Sequence, residues 1–350
     1  MKISFWSDTE DEKEEILNLT KKTFGDVEIT NPSYYDWQYK KNPNGKALIT
    51  IARNDSDNEI VGINSIIPLE LLVDGEEIKS SLACNVQVHP DHRKKRIFSK
   101  LLSSMPKFAL SNNIQSLFAV PNDNSFKAFI NEGSTEIAQL PLLVKPIKFS
   151  QYFDSPIKQI LKPFDIFWKR SENHLFEIEQ FNDDFDYSFE ELAKKTSKRV
   201  SVLVSRKKEF LNWRYKNHPT RSYQIFILRD KNELAGYIIT RIHHFEKKKI
   251  GVILDYMVNE NFKDQTLLKG LIDKALFNFW KNDVSIAITI CRDGLLENRL
   301  LRNSGFFKPP SFLKPVSLHF VIQNFENNLK LKKLSKFENW FFAFGDYDVF

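Results

Sequence analysis

Val86-Gln87-Val88-His89-Pro90-Asp91-His92-Arg93-Lys94-Lys95-Arg96-Ile97-Phe98-Ser99-Lys100-Leu101-Leu102 is the stretch on which the reading of the whole chain turns. Ala83 to Val88 mixes small, branched and polar residues at a period of about two, which predicts a strand. Proline has no N–H to give a ladder, so Pro90 ends that strand near His89. Ile97, Leu101 and Leu102 then recur at helical spacing and predict an amphipathic helix to about Leu110. Four cations, Arg93 to Arg96, therefore stand where a strand turns into a helix. The first amides of a helix have no internal acceptor, and its dipole puts partial positive charge there. A diphosphate suits such a place.

Upstream, Lys2 to Trp6 predicts a first strand, and Asp11 to Phe24 a helix that Gly25 ends. Asn31-Pro32 opens a second, short helix carrying Trp37-Gln38-Tyr39-Lys40, which stops before Asn42-Pro43-Asn44-Gly45. Ala47 to Arg53, Ile60 to Leu72 and Lys79 to Val88 read as strands, the last two joined as a hairpin at Val73-Asp74-Gly75-Glu76. Downstream, Ser116 to Val120 is a short buried strand. Pro121-Asn122-Asp123-Asn124 caps a helix from Ser125 to Asn131, which Glu132-Gly133 closes.

These residues resemble the GNAT family of acyl-CoA-dependent N-acyltransferases. Its signature is an (Arg/Gln)-x-x-Gly-x-(Gly/Ala) turn after a strand reading Val-x-Pro. Val88, Pro90 and Arg93 match; Arg96 and Phe98 stand at the two positions the family fills with small residues. The element order over residues 1–147 also matches, as does Asn124 before a helix in which Phe129 stands four residues ahead of Gly133. The resemblance implies acetyl-CoA, or another acyl-CoA, as co-substrate. Its binding residues would be Val86, Gln87 and Val88 along the pantetheine arm, Arg93, Lys94, Lys95, Arg96, Ile97, Phe98 and Ser99 around the pyrophosphate, and Asn124. The fourth strand would splay from the fifth, and the Val86 or Val88 amide would meet the oxyanion. At the Phe129 position the family often has a tyrosine that protonates the leaving thiolate. Phenylalanine has no proton to give, so either another residue or water is the acid, or this half does not catalyse.

The second half echoes the first. Trp37-Gln38-Tyr39-Lys40-Lys41-Asn42-Pro43 recurs 176 residues on as Trp213-Arg214-Tyr215-Lys216-Asn217-His218-Pro219. Ile60-Val61-Gly62 is echoed by Leu234-Ala235-Gly236, Cys84 to Val88 by Leu254 to Val258, and Gly133 by Gly305. Ordered agreement of this kind marks an internal duplication. The fold class is therefore α/β (α+β): two GNAT-like domains, each a mixed, mostly antiparallel twisted sheet flanked by helices. The division is 1–147 with the acyl-CoA site, a linker helix in 148–172, and 173–350. The 157–168 segment also admits an interfacial membrane helix. In the second half, Asn259-Glu260-Asn261-Phe262-Lys263-Asp264 replaces the basic turn. Its acids suit a helix dipole but repel phosphate, so the coenzyme belongs to the first half.

Length and composition agree. A chain of 350 residues exceeds one ordinary core. Its net charge of +6 suits an anionic ligand and does not by itself favour nucleic acid. Cys84 and Cys291 lack metal-type spacing, and a cytoplasmic location with no metal is expected. No apolar run reaches the roughly 18 residues of a membrane span. No catalytic base is identifiable. Asp255 is the most conspicuous buried acid; Asp36 and Glu70 are surface acids; His89 and His92 flank the turn; His243 and His244 point to opposite faces of a strand. The function expected is transfer of an acyl group from acyl-CoA to a small amine, an amino sugar being one class. A transfer-RNA-dependent aminoacyl transferase and a non-catalytic acyl-CoA-binding module are the alternatives.

Overall fold

The computed structural model describes residues 1–152, 156–163, 165, 177–230, 233–245, 248–259, 266–310 and 317–347. The first half runs β1 (Lys2–Phe5), α1 (Glu10–Phe24), α2 (Pro32–Tyr35), β2 (Leu48–Arg53), β3 (Ile60–Val73), β4 (Glu76–Val88), α3 (Ile97–Ser111), β5 (Ser116–Ala119), α4 (Asp123–Asn131), β6 (Thr135–Gln139) and β7 (Leu142–Pro146). There follow α5 (Ile157–Leu161), β8 (Ile178–Gln180), α6 (Tyr187–Thr196), β9 (Val202–Val204), α7 (Lys208–Leu211), β10 (Gln224–Asp230), β11 (Glu233–Phe245) and β12 (Lys248–Val258). The chain continues through α8 (Thr266–Lys281), β13 (Ile286–Ile290), α9 (Leu296–Asn303), β14 (His319–Asn324), α10 (Leu329–Leu334) and β15 (Trp340–Phe341).

Local chemistry accounts for the boundaries. The Thr9 hydroxyl accepts from the Glu12 amide at the start of α1, whose first turn is acidic and last turn basic. Gly25, at φ 80°, closes that helix in a conformation that costs a glycine little. Asn122 caps α4 by accepting from the amides of Asn124 and Ser125.

Two mixed sheets, each flanked by helices, make two compact units, as the sequence implies. Neither unit is continuous in the chain. One gathers 1–139, 209–221 and 316–339; the other gathers 140–208, 222–315 and 340–350. The contiguous division at 147/148 and 172/173 differs from this because the halves exchange strands and because the helical segment 209–221 joins the first unit. The first unit's sheet runs β1-β2-β3-β4-β5-β14-β6, and the second's runs β7-β13-β12-β11-β10-β8. Thus β14 of the second half pairs antiparallel with β5 and β6, and β7 of the first half pairs antiparallel with β13. In each sheet the fourth and fifth strands of the repeat, β4–β5 and β12–β13, make a parallel step. Of the expected linker helix, Ile157–Leu161 is helical; residues 153–155, 164 and 166–172 lie outside the described residues.

In the first unit, α3 and α4 cover one face of the sheet through Leu102, Met105, Phe129 and Leu117. Gly62 of β3 lets α3 come close, since a Cβ there would meet Ile97 Cγ2 and Leu101 Cδ1 at 3.1 Å. Leu101 is fully buried, and its truncation to Ala would cost about 2–5 kcal/mol.

The recurring tryptophan motif has a structural reason. Trp37 and Trp213 both fall in this unit, each in a π-helical turn, Asp36–Lys40 and Asn212–Lys216. Their rings stack 4.5 Å apart at 11°. The indole Nε1 of each donates to the carbonyl of the other, at 2.8 and 2.9 Å. Buried indole nitrogens need an acceptor, and each copy of the motif supplies the other's.

A fragment of residues 1–147 would lack both β14 and Trp213. We expect it to show no cooperative thermal transition by circular dichroism. A sharp melt from that fragment would contradict the strand exchange.

Candidate functional site

β4 pairs in parallel with β5 at Leu82 opposite Phe118, and no pairing of the two strands is found beyond that point among the described residues. Towards its C-terminal end, β4 is therefore held by β3 on one edge. The His89 amide donates to the Val61 carbonyl at 2.8 Å. Antiparallel alternation then turns the Val88 amide to the opposite, open edge. Within this segment Ile63 pairs with Gln87 and Ser65 with Cys84, so Asn64 faces both Asn85 and Val86. That is a β-bulge, and Asn85 carries it at φ 52°. The Gln87 side chain leaves the other way and donates to the Thr20 hydroxyl of α1 at 2.8 Å.

The basic turn follows. Arg93 is extended, Lys94 is left-handed at φ 65°, and Arg96 is left-handed at φ 57° immediately before α3. Two left-handed residues this close together bend the main chain sharply just ahead of the helix. Arg93, Lys94, Lys95 and Arg96 are all exposed. None of them has an ion-pair partner among the described residues, whereas Lys13, Lys40, Lys46 and Arg53 of the same unit each do. The turn thus concentrates unneutralised positive charge.

Ile97 is buried and Phe98 half-buried. The Phe98 ring packs beside Val86 on the α3/α4 core and meets Phe129 edge-on, centroids 6.3 Å apart. That ring is thus engaged with the core. Phe129 itself is buried, in keeping with a packing role. Ser99 is half-buried in the first turn of α3. Asn124 is exposed in the first turn of α4, where its amide donates to Asn122 Oδ1 at 3.1 Å.

Beside α4 stands a residue the sequence did not single out. His319, on the exchanged β14, is stacked on Phe126 at 3.9 Å. Its Nδ1 lies 2.7 Å from Glu136 Oε1 and its Nε2 3.0 Å from Asp123 Oδ1. Burial works against its charge, but the hydrogen bonds and charges of Glu136 and Asp123 outweigh it and raise its pKa. A histidine 196 residues from one partner and 183 from the other carries no local sign of such contacts.

The second unit keeps the same split but fills it. β12 and β13 pair from Ile250 opposite Ile286 to Val252 opposite Ile288, and no further among the described residues. Tyr256 then bridges the opening by donating to the Ile290 carbonyl at 3.3 Å, with Phe341 edge-on at 5.7 Å. Asp255 is a structural acid: it takes Arg206 at 2.8 and 3.2 Å, the Tyr237 hydroxyl at 2.9 Å and the Tyr256 amide at 3.0 Å. Arg206 also holds Asp346 at 2.7 Å. Burial pushes the Asp346 carboxyl up to about 6, against the pull of Arg206. Of the segment that replaces the basic turn, residues 260–264 lie outside the described residues.

The remaining candidates stay apart from the opening in β4. Asp36 pairs with Lys13 at 2.9 Å. The His89 Nδ1 accepts from the Asp91 amide at 3.3 Å, and its ring meets His92 edge-on. Glu70 is half-buried on β3, and His243 and His244 are successive residues of β11. Among the described residues no group of His, Cys, Asp and Glu could hold a metal ion, and no helix is long and apolar enough to cross a membrane.

Residues 7–126, from the end of β1 into α4, match the model of the acetyltransferase (GNAT) domain family. No curated protein matches the chain. Among solved structures, a GCN5-related N-acetyltransferase from Anabaena variabilis aligns with TM-score 0.65 at 12% identity, covering 93% of this chain and 73% of its own. Saccharomyces cerevisiae N-myristoyltransferase with bound myristoyl-CoA aligns with TM-score 0.63 at 14% identity, covering 92% and 82%. A GCN5-related N-acetyltransferase from Kribbella flavida gives 0.62 at 10%, covering 92% and 70%. At these identities the likeness is one of fold.

Two outcomes follow from the site's geometry. Glycine at position 96 would relieve the left-handed strain, so Arg96→Gly should raise stability by up to about 1 kcal/mol in urea denaturation. A loss of stability would show that the arginine side chain, not the main chain, sets the turn. For His319, the folded pKa lies above the ordinary value of about 6.5, so its contribution is complete below that pH and fades as pH rises through the folded pKa. Urea midpoints measured from pH 6 upwards should decline for the wild type, with that part of the decline absent in His319→Ala.

Proposed function

We propose, from the match of residues 7–126 to the acetyltransferase (GNAT) domain model, that the chain is an acyl-CoA-dependent N-acyltransferase acting on a small amine. The observation that carries this is the turn between β4 and α3: four exposed cations with no ion-pair partner among the described residues, two left-handed residues and a helix start, beside a strand edge with no pairing there among the described residues. Acetyl-CoA is the simplest donor. An amino sugar is the acceptor class we favour by analogy of fold, which is a weak guide to substrate.

In this reading the coenzyme diphosphate sits on the amides and side chains of Arg93 to Ser99. Its amide-bearing arm pairs with the open edge of Val86 to Val88 as an added strand would. The amine nitrogen attacks the thioester carbonyl carbon; a C–N bond forms and the C–S bond breaks. The Val88 amide, turned to the open edge, stabilises the oxyanion. The nitrogen gives up one proton and the departing thiolate gains one. Phe129 cannot supply it, so water carries it. A coenzyme-binding module without turnover is the second reading, favoured by the absence of a hydroxyl at Phe129.

The double variant Arg93→Glu/Arg96→Glu should weaken acetyl-CoA binding at least tenfold by calorimetry while the thermal midpoint of the free protein changes little. Wild-type affinity should also fall as salt rises, because the contact is between exposed charges. Unaltered affinity in the double variant would remove the diphosphate from this turn. Tight binding with no thiol release across a panel of amines would select the second reading.

A further inference from the structure

The bulge in β4 presents one side chain in an unusual state. Asn85 is half-buried, three residues past the last pairing of β4 with β5. Its left-handed conformation is one that asparagine tolerates better than most residues. Both amide protons are used inward: Nδ2 donates to Gln38 Oε1 at 2.7 Å and to the Tyr39 hydroxyl at 2.9 Å. These two bonds fix the plane and the sense of the amide. Its Oδ1 takes no hydrogen bond among the described residues and is not among the enclosed, unpaired polar atoms. The carbonyl oxygen is therefore accessible and without a partner among the described residues, on an amide whose nitrogen is clamped.

The clamp is costly. Gln38 is 1% exposed, and its Nε2 has no partner among the described residues. A buried donor left without a partner is destabilising. Tyr39 is also buried, and burial raises its hydroxyl pKa well above the ordinary value, so it remains a neutral phenol. Two neutral groups thus hold a third at the bulge.

We infer that Asn85 Oδ1 orients the attacking amine, and that Gln38 and Tyr39 are the positioning residues behind it. This rests on the acyltransferase reading and adds the means by which the acceptor is aimed. A carbonyl oxygen accepts a hydrogen bond from an amine but cannot take its proton. Asn85 can aim an amine but not deprotonate it, so the site suits an amine whose ammonium proton is readily lost to water rather than a lysine-like cation. One N–H points to Asn85, and the lone pair is left for the thioester carbon.

Hydroxylamine, a minimal amine nucleophile, tests this without knowledge of the natural acceptor. Full-length protein saturated with acetyl-CoA is assayed for acetohydroxamate and for free thiol, which together give the partition between aminolysis and hydrolysis. Asn85→Gly keeps the left-handed bulge and removes the carbonyl. We expect that partition to fall at least tenfold while the acetyl-CoA Kd stays within twofold. Gln38→Met, of similar volume, frees the Asn85 amide to rotate and should lower the partition at least threefold at the same Kd. A purely structural role would leave the partition unchanged, and an unchanged partition in either folded variant overturns the inference. So does wild-type protein that binds acetyl-CoA yet reacts with hydroxylamine no faster than the free thioester. Failure of the wild type to bind acetyl-CoA overturns the acyltransferase reading itself.

Discussion

Everything at the site depends on the parting of two strands. Where β4 leaves β5 after Leu82, a row of main-chain amides and carbonyls loses its neighbour. A backbone group without a partner, protein or water, is costly once enclosed, so an opening in the middle of a sheet must be answered by something. The two units answer it differently. In the second, Tyr256 reaches across to the Ile290 carbonyl and Phe341 closes over it, so the opening is filled from within. In the first, Val86 and Asn85 remain half-exposed, and the cations of the following turn have no carboxylate partner among the described residues. One sheet is completed by its own side chains; the other is left with a polar edge and a positive end, which is the complement of an extended amide chain ending in phosphate.

Much of this was legible in the residues because its causes are local. The strand-to-helix turn follows from Pro90 and the spacing of Ile97, Leu101 and Leu102. The helix ends follow from Thr9, Gly25 and Asn122. The duplication was visible in the tryptophan motif because each indole needs the other's carbonyl, which demands the same residue twice. What escaped was set by distance. Nothing in the residues of Leu142–Pro146 or His319–Asn324 reveals that each joins the sheet of the opposite half. His319 is an isolated histidine until β14 brings it to Asp123 and Glu136. Asn85 lay inside a stretch correctly read as strand, but a bulge is a one-residue slip in pairing, and no period of two can show it.

The exchange also constrains how the chain can fold. β5 cannot be covered until residues about two hundred positions later have been made, and β13 waits on a strand from the first half. Contacts of such separation bear a heavy loop-closure cost and slow folding. They also prevent either sheet from closing as a contiguous piece. The Trp37–Trp213 stack works in the same sense, since both halves must be present before either indole is satisfied. A duplicated chain that traded strands in this way has lost the independence its two copies began with.

The distribution of backbone strain separates a functional turn from a solvated one. Asn85, Lys94 and Arg96 hold positive φ within one strand-turn-helix segment. A left-handed conformation costs an L-residue roughly 1–2 kcal/mol, and glycine would remove most of that at position 96. A turn whose only task was to join β4 to α3 would have no reason to bear this with arginine. A charge-assisted hydrogen bond from a cation to phosphate, worth about 1.5–3 kcal/mol, is of the right size to offset it. In the family resemblance the small residue at this position lets the main chain approach the diphosphate. On the acyltransferase reading, an anion bound at the turn gives main-chain strain and exposed charge at the same residues a common explanation.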